Sequence, residues 1–118
     1  MSAVDDAAHA RWIGYRPQIR ILDCTIRDGG LINDHLFDDK LISTVYNTCV
    51  AAGIDYCEFG YKASKKIFRP DGYGRWKFCD EDDLRRIIGE KNPAIRITVM
   101  ADAERTDYHE DILPRDKS

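Results

Sequence analysis

No apolar run in this 118-residue chain extends beyond a few positions, far short of the roughly 20 residues that span a bilayer, so no membrane helix is expected. Positive charge is also scarce: 18 Lys and Arg against 21 Asp and Glu leave a net charge of −3. Without an overall basic field, neither nucleic acid nor an anionic membrane is an expected partner. The four cysteines, Cys24, Cys49, Cys57 and Cys79, form no C-x-x-C pair, and no histidine stands at a zinc-finger spacing from them. Residues 1–10 lack the basic-then-apolar pattern of a secretory signal, so reduced thiols in a cytoplasm are the expectation. There is no internal repeat and no low-complexity segment. Residues 1–17 read as a polar arm, and residues 18–118 as one folded unit.

That unit begins with Arg20–Thr25, a β-prone run expected to end at Ile26-Arg27-Asp28-Gly29-Gly30, where two glycines stop a strand and admit close approach of a ligand. A helix is predicted from about Asp38 or Asp39 to Ala52, with Leu41, Ile42, Val45, Cys49 and Ala52 at helical spacing. Asp38 suits its start and Gly53 its end. Ile54–Phe59 reads as a second strand, closed by Gly60. From Tyr61 to Phe78 periodicity is lost, and Lys62, Lys65, Lys66, Arg69, Arg75 and Lys77 interleave with Phe68, Tyr73 and Trp76. An acid-started helix over Asp80–Gly89 follows, with Leu84, Ile87 and Ile88 toward a core. Asn92-Pro93 breaks it, and Ile95–Met100 forms a third strand.

The order β-α-β-α-β implies parallel pairing of neighbouring strands, the α/β class. A doubly wound sheet and an eight-stranded (β/α)8 barrel both begin this way, and the first turn supplies no G-x-G-x-x-G for a dinucleotide. Three strands are less than half of a barrel.

Chemistry concentrates at the strand ends. Asp23, Thr25 and Arg27 alternate and are expected on one side of the first strand, with Asp28 just past its end. Arg27 offers a planar donor fork for a carboxylate or enolate oxygen, and Asp28 a hard oxygen ligand for Mg²⁺ or Mn²⁺. Glu58, near the end of the second strand, is placed to orient Arg27 or a metal-bound water. A structural ion-pair network explains the same three residues equally well from spacing alone. His35 follows the Gly-Gly loop and either reaches a substrate or, as an exposed loop histidine, stays in solvent. The Lys62–Lys77 stretch suits covering an anionic substrate, a solvated loop, or a subunit contact. Asp80-Glu81-Asp82-Asp83 reads as charge at a helix N-terminus.

Asp23-Cys-Thr-Ile-Arg-Asp-Gly29 resembles the D-x-T-x-R-D-G signature on the first strand of the DRE-TIM metallolyases. This superfamily includes 4-hydroxy-2-oxovalerate aldolase, hydroxymethylglutaryl-CoA lyase, and the isopropylmalate and homocitrate synthases. Cys57–Gly60 resembles its second-strand E-x-G segment, and Ile97–Asp102 the third strand of its aldolase branch. The resemblance implies the first part of a TIM barrel in a metal-dependent carbon–carbon lyase acting on a 2-oxo acid or acyl-CoA. It implies Asp28 as a ligand of Mn²⁺ or Mg²⁺, Arg27 as the group stabilising the enolate, and Glu58 as the third member of the triad. Thr25 and His35 would join Arg27 in holding an anionic small-molecule substrate. The family's H-x-H pair has no counterpart among His9, His35 and His109. The implied partner is therefore the remaining barrel half or another chain in an oligomer, and the isolated chain is expected to be inactive. The other reading is a non-catalytic partial barrel that binds partners through its open strand edges.

Overall fold

In a computed structural model of the chain, residues 14–89 and 95–115 are described. Most of the polar arm, and the expected break at Asn92-Pro93, lie outside these residues. The elements run β1 (Leu22–Asp23), α1 (Thr25–Asn33), α2 (Asp39–Ala51), β2 (Tyr56–Tyr61), a 3-10 turn (Arg75–Lys77), α3 (Glu81–Ile88) and β3 (Arg96–Met100). The three strands form one sheet in the order β1-β2-β3, and both pairings are parallel. This is the α/β arrangement that the alternation of patterns predicts.

The first element departs from expectation. The chain leaves the sheet after Asp23 and turns directly into a helix, because Asp23 Oδ1 accepts the Thr25 N–H at 3.1 Å and Oδ2 accepts the Thr25 hydroxyl at 2.9 Å. The aspartate and threonine that look like alternating strand residues instead tie off the start of α1, whose first turn also carries Asp28. Asp23, Thr25 and Arg27 therefore do not share a strand face. Nor do the glycines end an element: Gly29 and Gly30 continue the helix to a left-handed cap at Asp34, φ 55°.

The remaining elements follow their patterns closely, except that β2 does not close at Gly60 but runs through it to Tyr61. Asp38 caps α2, its carboxylate accepting the Leu41 N–H at 2.7 Å, and Gly53 takes φ 74° just after the helix. α2 buries Ile42, Tyr46 and Cys49, whereas Leu41 and Ala52 stay exposed. Leu84, Ile87 and Ile88 of α3 pack against the same core. Phe59 of β2 stands at its centre, with ring centroids 5.9 Å from Tyr46 and 5.5 Å from Trp76. Cys57 and Phe59 thus face the helical layer, and Glu58 points to the opposite side of the sheet.

The β2–β3 register contains an irregularity that matters for the site. Glu58 pairs with Thr98, but Tyr61 pairs with Met100, so three steps on one strand match two on the other. Phe59 and Gly60 together oppose Val99, which is a β-bulge. Gly60 is required there, since a Cβ would fall 1.9 Å from the Trp76 carbonyl oxygen. The extra residue changes the parity of the strand and brings Tyr61 onto the face of Glu58, opposite Thr98 and Met100.

Candidate functional site

Three elements converge on the side of the sheet that Glu58 faces. From the first turn of α1, the Arg27 guanidinium reaches over β2 and β3. Its Nε lies 2.9 Å from Glu58 Oε1, its Nη2 3.2 Å from Asp28 Oδ1, and its Nη1 donates to Met100 Sδ at 3.6 Å. Thr98 Oγ1 donates to Glu58 Oε2 at 3.3 Å, and the Cys24 thiol donates to Asp28 Oδ2 at 3.4 Å. Burial opposes the Arg27 charge, but Cys24, Glu58 and Asp28 outweigh it and hold the guanidinium pKa above its ordinary value.

The Arg27–Glu58 contact is close in distance but poor in direction. Both Arg27 Nε and Glu58 Oε1 are buried and lack an aligned hydrogen-bond partner among the described residues. An ion pair that satisfies charge and not hydrogen bonding leaves polar capacity unused in a place where leaving it unused is costly. Asp28 contrasts with this pair, its side chain being 59% exposed. One carboxylate thus holds the arginine from below while the other faces solvent.

The expected residues separate accordingly. Arg27, Asp28 and Glu58 are brought together, as strand-end position suggested, although the first two arrive on a helix. Thr25 is exposed, with its hydroxyl committed to Asp23. His35 is no exposed loop histidine: it is 2% accessible, with its ring edge-on to Tyr61 at a centroid distance of 5.4 Å. Gly30 makes room for it, because a Cβ there would fall 1.9 Å from His35 Nδ1. The close approach expected for a ligand at the glycines is made by the chain's own imidazole. Burial, followed by the Lys77 charge, pushes the His35 pKa down to about 4, and Asp34 opposes this only in part. Met100 and Thr98 are site neighbours that residue patterns did not single out. Their shared parity at the end of the third strand was the available signal.

Other clusters do not compete with this one. The carboxylate of Asp23 and the sulfurs of Cys49 and Cys57 lie within 4.8 Å of one another. However, both Asp23 oxygens accept hydrogen bonds from Thr25, and burial pushes both thiols up, which keeps their protons on. A concavity of about 480 Å³ lies between the Lys62–Lys66 segment and α3. Its lysines are already paired, Lys62 with Glu81 at 2.7 Å, Lys65 with Asp80 at 2.7 Å and Lys66 with Glu110 at 2.9 Å. The acidic run at the start of α3 works similarly, since buried Asp83 pairs with Arg75 at 2.9 Å and with Arg86.

Comparison with known proteins adds no relative: no family model, curated protein or solved structure matches the chain. No helix among the described residues is long and apolar enough to cross a membrane. The solvent-facing carboxylate of Asp28 is a suitable hard-oxygen ligand for a divalent cation, and such ions are often held by one or two carboxylates with water and substrate oxygens. No group of three ligand-bearing residues among the described residues includes it.

Proposed function

We propose that this chain is the first part of a (β/α)8 barrel in a divalent-metal-dependent carbon–carbon lyase or aldolase, acting through an enolate on a 2-oxo acid or acyl-CoA. The observation that carries this reading is the Arg27 guanidinium, held by Glu58 and Asp28 above a parallel sheet within a D-x-T-x-R-D-G sequence. When a carbon–carbon bond beside a carbonyl breaks, negative charge develops on the carbonyl oxygen, and a fixed cation there lowers the barrier. Arg27 supplies that charge. Glu58, itself held by the Thr98 hydroxyl, positions it from the sheet, and Met100 contacts its Nη1. Asp28 would hold Mn²⁺ or Mg²⁺, whose role when bound is to polarise the substrate carbonyl. Its further ligands would come from residues other than those described, in a longer chain or in another subunit.

The test pairs calorimetric Mn²⁺ titration with a pyruvate-release assay, on the chain alone and together with whatever completes its barrel. Weak Mn²⁺ binding and no turnover are expected from the chain alone, and metal-dependent turnover from the completed enzyme. An Asp28→Asn variant with undiminished metal affinity would refute the assignment of Asp28.

A second reading, a non-catalytic interaction subunit, draws on the β1 edge. β1 pairs with β2 on one side only among the described residues, and Ile19, Ile21 and Leu22 beside that edge are exposed. An apolar, unpaired edge favours addition of another strand. Loss of turnover in the completed enzyme together with retained strand-edge association would select this reading.

A further inference from the structure

Four lysines lie between Tyr61 and Phe78, and one of them differs in kind from its neighbours. Lys62, Lys65 and Lys66 each hold a carboxylate. Lys77 holds none among the described residues, and Asp34 and Asp102 act on it only through space. Its ammonium instead sits in an aromatic box, 4.2 Å from the ring centroid of Phe68, 4.9 Å from Tyr61 and 5.5 Å from Tyr73. Phe68 and Tyr73 meet edge-on at 5.5 Å, which fixes two walls against each other.

Such a box holds a charge without neutralising it. Burial, and the nearby Arg105 charge, push the Lys77 pKa below its ordinary value while Asp102 and Asp34 oppose this, and the ring faces attract the ammonium through their quadrupoles. They accept its N–H groups only weakly, and ammonium donors thus remain for an anion. Location gives this a use. Tyr61, one wall of the box, is brought by the bulge onto the face of Glu58, and its register partner Met100 touches Arg27. Arg27 and Lys77 therefore each contact one member of the same register pair at the end of the sheet, Arg27 touching Met100 and Lys77 lying over Tyr61.

We propose that Lys77 binds a second anionic group of the substrate, a carboxylate remote from the carbonyl carbon, so that the site selects dianionic 2-oxo acids over monoanionic ones. The proposal rests on the enolate reading for Arg27 but stands on its own contacts. The aromatic walls hold the side chain in place without an internal carboxylate, so no ion pair has to be broken when the substrate arrives. A charge-assisted contact of this kind is expected to favour the dianion by about tenfold to a hundredfold.

The test is an NMR titration of the protein in Mg²⁺, following the lysine ε-methylene, arginine side-chain and tyrosine ring resonances. The probes are pyruvate, 2-oxoglutarate and 2-oxoadipate, the last two differing in the reach of the distal carboxylate. At least one dicarboxylate should bind tenfold or more tightly than pyruvate and should shift the Lys77 and Tyr61 signals, which pyruvate leaves in place. Lys77→Met should abolish the preference without changing pyruvate affinity, and Lys77→Arg should retain most of it. A variant that only disturbed packing would weaken both classes of probe alike. Equal affinity for all three probes, a preference that survives Lys77→Met, or a Lys77 signal that no probe moves would each overturn the proposal. Dicarboxylate binding at Lys77 with no response at Arg27 would leave this subsite standing and remove the enolate reading instead.

Discussion

Arg27 Nε stands 2.9 Å from Glu58 Oε1, yet neither atom has an aligned hydrogen-bond partner among the described residues. The carboxylate thus fixes the position and charge of the guanidinium without saturating its donors. This distinguishes the pair from Arg86–Asp39, on the surface between α3 and α2, where two nitrogens donate to two oxygens at 2.9 and 3.1 Å. The surface pair is a fork-on-fork clamp, and Arg27 keeps donor capacity in reserve.

Glu58→Gln should therefore destabilise the fold by about 1–3 kcal/mol, the range for breaking one side of a partly buried charged contact. Asp28 remains as a counter-charge and keeps the loss below that of a fully buried pair. Urea unfolding of both proteins measures the difference, and a change below a few tenths of a kcal/mol would show that Glu58 does not hold Arg27.

Arg27→Lys is expected to reduce turnover of the completed enzyme by about a hundredfold or more, with Mn²⁺ affinity little changed. A point charge keeps the sign but loses the planar fork, and one donor aimed at a developing oxyanion contributes about 3–4 kcal/mol. Steady-state kinetics beside calorimetry separate these effects. A parallel loss of metal affinity would mean that Arg27 acts on the metal seat instead.

His35 gives the pH dependence a definite sign. Its pKa falls from the usual 6.5 to about 4 on folding, so between these values the unfolded chain binds more protons than the folded one. Its contribution is thus complete above pH 6.5 and is lost as pH falls toward 4, up to about 3 kcal/mol at 1.36 kcal/mol per unit. Unfolding free energies measured from pH 4.5 to 7 should rise with pH in the wild type. His35→Asn should flatten this slope, and an unchanged slope would place the titration elsewhere.

The thiols should react unequally. Cys49, Cys57 and Cys79 are buried, and burial pushes each of their pKa values up, whereas Cys24 is partly accessible beside Asp28. Under native conditions iodoacetamide should modify Cys24 first and the other three only with unfolding. Peptide mass spectrometry reads the order directly, and early modification of Cys57 would contradict the packing of α2 on β2.

Much of this architecture is legible in residue patterns. The periodic run from Asp38, the glycine after α2 and the β-prone segments around Tyr56 and Ile97 give the parallel order directly, because each segment packs by its own periodicity. The segment from Asp23 to Gly30 is misread as a strand and its terminal loop because side-chain-to-backbone capping competes with strand alternation. Asp23 and Thr25 fit either pattern, and only the hydrogen bonds of the folded chain decide. His35 is misjudged for a related reason: its burial depends on Gly30 and Tyr61, neighbours that sequence spacing does not reveal. The Lys77 box depends on how a long aperiodic connection folds back, and no periodic signal describes that.

The bulge at Phe59-Gly60 also affects how β2 can be altered. Removing one residue between Glu58 and Tyr61 would restore uninterrupted pairing with β3, which is the regular and locally better-bonded ladder. It would also rotate Tyr61 to the helical layer, where Trp76 and Cys79 already occupy the space, and with it would go the wall that Lys77 leans on. A shortened, more regular strand would thus part the Lys77 box from the face that carries Glu58 and Met100, and any redesign of this sheet has to preserve its defect.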